Sequence, residues 1–172
     1  MAEILRDLLE AWGLHNAIHL YILDWVPEEG LQAVTLLKTG KPSTGRNVGR
    51  IFAHLHEVRC AWLERDRDRA ADLPRFEGGE TPDRGRLSQA LALSGERVAA
   101  TVRAAVEGER PLKSWKRSPV SWLAYLVSHE SHHRGQIAQA LKQSGIRSPG
   151  EVSYGVWGFW GGAALKPPAR RR

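Results

Sequence analysis

Residues 118–145 read SPVSWLAYLVSHESHHRGQIAQALKQSG. Ser118-Pro119 opens the stretch as a cap followed by proline, and Ser144-Gly145 closes it, the start and stop signals of a helix. Between them Trp122, Leu126, His129, His133, Ile137 and Ala140 recur at threes and fours, the spacing of one helix face. Two histidines therefore stand where a buried seam calls for apolar residues. Unpaired imidazoles in that position cost stability unless something satisfies them. One turn apart on one face, His129 and His133 can reach a single ion. Hydrogen-bonded core histidines are the plainer alternative. His132 turns to the flank, as a surface or supporting group.

Three further stretches carry the same period without a proline. The first runs from about Ile4 to Trp25, stops at Pro27, and spaces Leu5, Leu8, Leu9, Trp12, Ile18, Ile22 and Trp25 along one side. The second opens after Pro42, with Ser43 or Thr44 as its N-cap candidate, and runs to about Arg69 behind Val48, Ile51, Leu55, Val58 and Trp62. The third begins near Thr81-Pro82-Asp83 and ends around Gly108, with Leu87, Leu91, Val98 and Val102 as its stripe. No repeat, strand pattern or linker interrupts them. Leu112–Lys116 reads as a short extended piece, and the Gly- and Trp-rich segment Ser148–Gly162 as irregular chain packed across the helices. Four apolar-striped helices and no sheet predict an all-α four-helix bundle, in one domain over residues 1–172.

Composition is that of an ordinary soluble protein, with 42% apolar and 26% charged residues. No apolar run approaches the ~20 residues of a membrane span, and the start, Met1 to Arg6, lacks a secretory signal. No membrane partner and a cytoplasmic location are expected. The single cysteine, Cys60, excludes a disulfide within the chain and a Cys-based zinc site; in a helical apolar pattern it reads as a small core residue. Of the net charge of +6, Lys166, Arg170, Arg171 and Arg172 supply four. That tail reads as a solvated terminus, and nucleic acid is not an expected partner.

A third ligand for an ion at His129 and His133 must come from another helix. His54 and His56 lie on opposite sides of the second helix, and each row contains apolar residues, so the period alone does not choose. His15 and His19 form a rival pair four apart that flanks the stripe Leu14, Ile18, Ile22. The run His129-Glu130-Ser131-His132-His133 also satisfies H-E-x-x-H, the zinc-protease pattern in which the Glu is general base, with Glu151 as a carboxylate ligand in a loop. In a simple bundle, however, Glu130 falls about 100° from the ligand seam, where it is expected on an exposed flank beside Arg134.

The stretches Asn47–Leu63, with Phe52-Ala53-His54 at its centre, and Ser128–Ile137, with His129-x-x-x-His133-Arg134-Gly135-Gln136-Ile137, resemble the DinB family, the DinB/YfiT-like metalloenzymes. The resemblance implies a four-helix bundle of up-down-down-up order, usually a homodimer. It also implies zinc or nickel held by one histidine of the second helix and an H-x-x-x-H pair of the last. Carried over, it selects His54 over His56 and joins it to His129 and His133. It does not fix a reaction. Relatives conjugate low-molecular-weight thiols such as bacillithiol or mycothiol, one branch isomerises maleylpyruvate with mycothiol, and others are regarded as hydrolases.

Three neutral imidazoles leave a further position open on an ion, the catalytic pattern. The leading expectation is metal-dependent transfer of a small thiol to an electrophile. Hydrolysis of a small substrate and a non-catalytic metal-binding stress protein are the alternatives. Arg50, Arg59 and Arg134 lie close in sequence to the ligands and are the candidates for binding an anionic substrate.

Overall fold

The computed structural model describes residues 2–65 and 70–162. The expected end of the second helix near Arg69 and the basic tail from Lys166 to Arg172 lie outside these residues. Among the described residues the protein is all-helical. Its long helices are α1 (Ala2–Trp25), α2 (Val48–Glu64), α3 (Arg84–Val106) and α4 (Pro119–Gln143), followed by the short α5 (Gly150–Ser153) and α6 (Gly155–Trp160). None is long and apolar enough to cross a membrane.

Caps set the helix ends. Asp83 accepts from Arg86 N at 2.9 Å to start α3, and the Ser118 hydroxyl accepts from Ser121 N at 3.3 Å ahead of Pro119 in α4. α4 ends as the sequence signals. Gly145 takes φ +79°, while Ile146 N bonds Leu141 O at 2.9 Å and Gly145 N bonds Lys142 O at 3.2 Å, the paired bonds of a glycine-closed helix. α2 starts later than expected. Its N-cap is Asn47, which accepts from Arg50 N at 2.8 Å, because Ser43 is used elsewhere: its hydroxyl meets Thr35 and its N–H meets Thr35 O at 2.8 Å, closing a small loop. Leu112–Lys116 forms no strand. The Gly- and Trp-rich segment, expected to be irregular, instead forms α5 and α6. It folds back so that Phe159 meets Tyr21 at a ring distance of 6.2 Å.

α1 and α2 each pack against α3 and α4, and α3 also touches α4. Two apolar clusters result. One gathers Leu23, Phe52, Leu55, Leu91 and Ile137, the other Trp12, Leu63, Val98, Trp122 and Leu126. On every long helix a buried polar residue falls between members of the two clusters. These are His15 and His19 on α1, Arg59 on α2, Ser94 on α3 and Glu130 on α4.

They form one network. Arg59 Nε and Nη2 donate to the two Glu130 oxygens, each at 2.7 Å. Arg59 Nη1 donates to Asn16 Oδ1 at 2.8 Å and to Leu91 O at 2.9 Å. His15 Nε2 bonds Glu130 Oε2 at 3.0 Å, and His19 Nδ1 bonds His15 O at 3.0 Å. The Arg59 and Glu130 side chains are 0% and 1% exposed. Two expectations are corrected here. Glu130 is not on an exposed flank beside Arg134, because it turns inward to Arg59 of α2 and His15 of α1. The true seam of α4 runs Leu126, Glu130, His133, Ile137. His15 and His19 do not flank the α1 stripe; both are fully buried at its centre.

A buried bidentate ion pair returns its desolvation cost only while both partners are present, and removing one costs about 3–5 kcal/mol. Glu130→Gln is therefore expected to lower unfolding free energy by about that amount in urea titrations. The double variant Arg59→Met/Glu130→Met should be closer to the parent than Glu130→Gln is. A loss below about 1 kcal/mol in Glu130→Gln, the range of an exposed pair, would contradict this packing. At Gly95, Trp12 Nε1 donates to the carbonyl at 2.8 Å, and an added Cβ would lie 2.5 Å from the Asn16 amide that supports Arg59. Overpacking by about 1–3 kcal/mol outweighs the helix-propensity gain of about 1 kcal/mol, so Gly95→Ala should lower the melting temperature despite favouring the helix.

Candidate metal centre

His54 leaves α2 toward α4, one position from the buried pair Phe52-Ala53. His129 and His133 leave α4 one turn apart to meet it. Ring centroids are 5.4 Å apart for His54–His129, 4.8 Å for His54–His133 and 4.6 Å for His129–His133. One ligand atom from each ring lies within 4.8 Å of the others, and His129 Nε2 is 3.2 Å from His133 Nε2. Two nitrogens bound at ~2.0–2.1 Å to one tetrahedral ion lie about 3.3 Å apart, so this donor set fits a divalent metal.

Supporting contacts orient the rings. His133 Nδ1–H donates to Gln136 Oε1 at 2.7 Å, and the Gln136 amide nitrogen donates to His132 Nε2 at 3.0 Å. The His133 Nε2 lone pair is thereby left facing His129, as a metal-binding imidazole needs. His129 stacks on Tyr125 at 5.9 Å, and Tyr125 meets Trp62 and Trp115, so half-buried aromatic rings adjoin the triad. His129 Nδ1 is buried with no partner. Burial, followed by the charge of Arg46, lowers His54 to about 4, and burial first also lowers His129 and His133. All three imidazoles are neutral at pH 7 and hold lone pairs ready for a cation.

The remaining candidates lie elsewhere. His56 is 1% exposed and donates to Pro74 O at 2.8 Å. Cys60 is buried beside it, and burial pushes its thiol up to about 11. His132 sits on the outer side, held by Gln136. Of the three arginines, Arg50 bonds Glu80 O at 2.9 Å and approaches Glu57 at 3.6 Å, one turn before His54. Arg59 cannot reach a substrate, since it is fully buried in the ion pair with Glu130. Arg134 lines a groove that none of the three histidines lines. The cation whose charge acts on all three histidines is Arg46, in the loop before α2. It escaped sequence reasoning because a loop arginine carries no periodic signal.

The family model of the DinB superfamily matches residues 17–137. The chain belongs to the DinB superfamily. No curated protein and no solved structure matches it. The DinB match takes in all three histidines and stops before α5 and α6.

A second group, His15, His19 and Glu130, also brings ligand atoms within 4.8 Å of one another. It fits a cation less well. Both Glu130 oxygens are already bound by the Arg59 guanidinium, whose charge opposes a metal ion, and all three side chains are closed off from water. Glu130 is equally unsuited to the base of an H-E-x-x-H site. Burial alone would raise its carboxyl, but the charge and hydrogen bonds of Arg59 hold it well below the usual carboxylate range.

These shifts give the protein an acid-labile core. Burial lowers His19 from 6.5 to about 3, and Glu130 lies below its ordinary 4.5. Both groups bind protons more readily unfolded, so the stability they confer is complete above about pH 6.5 and is lost as pH falls. Urea midpoints should be flat from pH 8 to 7, decline below about 6.5 and drop more steeply below about 4.5. Midpoints that rise between pH 7 and 5 would contradict the burial of neutral His19.

Proposed function

We propose that the protein is a divalent-metal-dependent enzyme that transfers a low-molecular-weight thiol to a small electrophile, with His54, His129 and His133 as the ligands of zinc or nickel. The observation that carries this reading is the convergence of three neutral imidazoles, one of them oriented by Gln136. It takes α1–α4 as an up-down-down-up bundle in a single domain and the protein as a homodimer.

Three protein ligands leave a position open. An ion held there supplies Lewis acidity, which lowers the pKa of a thiol or water beside it. The chain's own residues do the rest. Burial keeps the imidazoles unprotonated, and Gln136 fixes the tautomer of His133. Arg46 and Arg50 bring positive charge to the His54 side of the site, suited to the carboxylates of a small thiol. Tyr125, Trp62 and Trp115 give an apolar wall for the electrophile.

Two features favour thiol transfer over hydrolysis. A free thiol titrates at about 8.5, so it needs little help to lose its proton to solvent; sulfur then bonds to the electrophilic carbon as that carbon's bond to its leaving group breaks, the leaving group departing to solvent with the electron pair. Water needs far more, and the acid nearest the triad in sequence, Glu130, is locked to Arg59. The thiol must also come from outside, because Cys60 is buried and held protonated.

Calorimetric titration with zinc or nickel should give one ion per chain. His54→Ala and His129→Ala should abolish tight binding, and Gln136→Ala should weaken it about 10–100-fold, the usual effect of removing a partner of a metal-bound histidine. With metal bound, the protein should accelerate conjugation of bacillithiol or mycothiol to monochlorobimane, and chelator should stop it. Metal binding without conjugation, together with accelerated ester hydrolysis, would replace this reading with the hydrolase.

A further inference from the structure

A groove of about 740 Å³ runs between the end of α1, the outer side of α4 and residues 146–157. That volume falls in the ~300–1,000 Å³ range of small-molecule sites. Ile22, Trp25, Leu141 and Trp157 give it an apolar wall, and Trp157 remains 66% exposed. Among the described residues its charged lining is of one sign: Arg134, Lys142 and Arg147. The segment that closes it lies outside residues 17–137, the part matched by the DinB superfamily.

Arg134 is the informative residue. Its Nη1 is closed off from water and has no hydrogen-bond partner. Its Nη2 has a 3.4 Å contact with the Ser131 hydroxyl, which also lines the groove. Glu130, four residues earlier on α4, acts on it through its charge but gives Nη1 no hydrogen bond, its two oxygens being turned to Arg59. Arg134 is half-buried, an orphaned guanidinium N–H is costly, and a carboxylate is the natural complement of a guanidinium. An apolar wall beside a cation that has no hydrogen-bonded carboxylate selects an anion with an apolar tail.

We propose that this groove binds an amphipathic carboxylate, an acyl chain with a free carboxyl group. Arg134 and Ser131 receive the carboxylate, Lys142 and Arg147 add attraction at the mouth, and the tail lies against Trp25, Leu141 and Trp157. The site is separate from the histidine triad and does not depend on its chemistry.

Titrating the full-length, metal-loaded protein with dodecanoate below its micelle concentration tests this. One dodecanoate should bind per chain. Dodecanol and dodecyltrimethylammonium should bind at least tenfold more weakly, and Arg134→Met should weaken dodecanoate at least tenfold. Gly135→Phe should abolish binding by filling the groove. A Cβ at Gly135 meets nothing within 4 Å, so the backbone there has room for a side chain, and a far-UV circular dichroism spectrum matching the parent's shows that each variant tested is folded. His54→Ala should leave binding intact, which separates the groove from carboxylate captured at the metal. Equal affinity for dodecanol, or unchanged affinity in Gly135→Phe, would overturn the proposal. So would binding only to anionic phospholipid vesicles, only as a dimer dissociates, or only in a chain ended at Gly162. Those outcomes would give the groove to a membrane surface, a second copy or the chain's own last residues.

Discussion

The ion pair between Arg59 and Glu130 is the constraint on which the rest of the structure depends. It joins α2 to α4 directly, reaches α1 through Asn16 and His15, and reaches α3 through the Leu91 carbonyl and Ser94. Four helices thus share one buried charge pair, which has no water to fall back on. Apolar packing alone tolerates sliding and rotation, since one aliphatic contact replaces another at little cost. A bidentate guanidinium–carboxylate pair does not, because a rotation that breaks it strands two charges in the core.

That rigidity is passed to the candidate metal centre by adjacency. Glu130 follows His129 in sequence, so fixing Glu130 inward against Arg59 fixes the rotation of α4 and aims His129 to one side of the seam. Arg59 lies five residues after His54 on α2, and the same pair sets the rotation of that helix. The triad meets where both helices are held, with His54 and His129 half-buried and His133 deeper. Burial lowers all three imidazoles and keeps them neutral at pH 7. The groove at Arg134 uses the other side of the same turn of α4. The helix therefore carries a core charge, two candidate ligands and a half-buried cation within six residues.

The long helices were legible because their stripes, prolines and caps agree. The convergence of His129 and His133 follows from a spacing of four, and the choice of His54 from the Phe52-Ala53-His54 pattern. The network around Glu130 was not legible, for a physical reason. Positions 129 and 130 are both three or four residues from Leu126 and His133, so either completes the seam, and hydropathy assigns a carboxylate to the surface. Its partner is also a charged residue, on another helix, and no local rule pairs them. His15 and His19 were misplaced for the same reason, since their burial depends on Glu130. α5 and α6 form from a Gly-rich stretch of poor helix propensity because Val152 and Phe159 find apolar cover against the helices, a tertiary gain that periodicity does not record.

X-ray absorption at the metal edge of the zinc- or nickel-loaded protein tests the central claim most directly. The account predicts three imidazole nitrogens at about 2.0–2.1 Å plus a light exchangeable ligand, with one imidazole fewer in His54→Ala and no change in His15→Gln. Sulfur or protein carboxylate in the coordination sphere, or a spectrum altered by His15→Gln but not by His54→Ala, would place the ion elsewhere and contradict it.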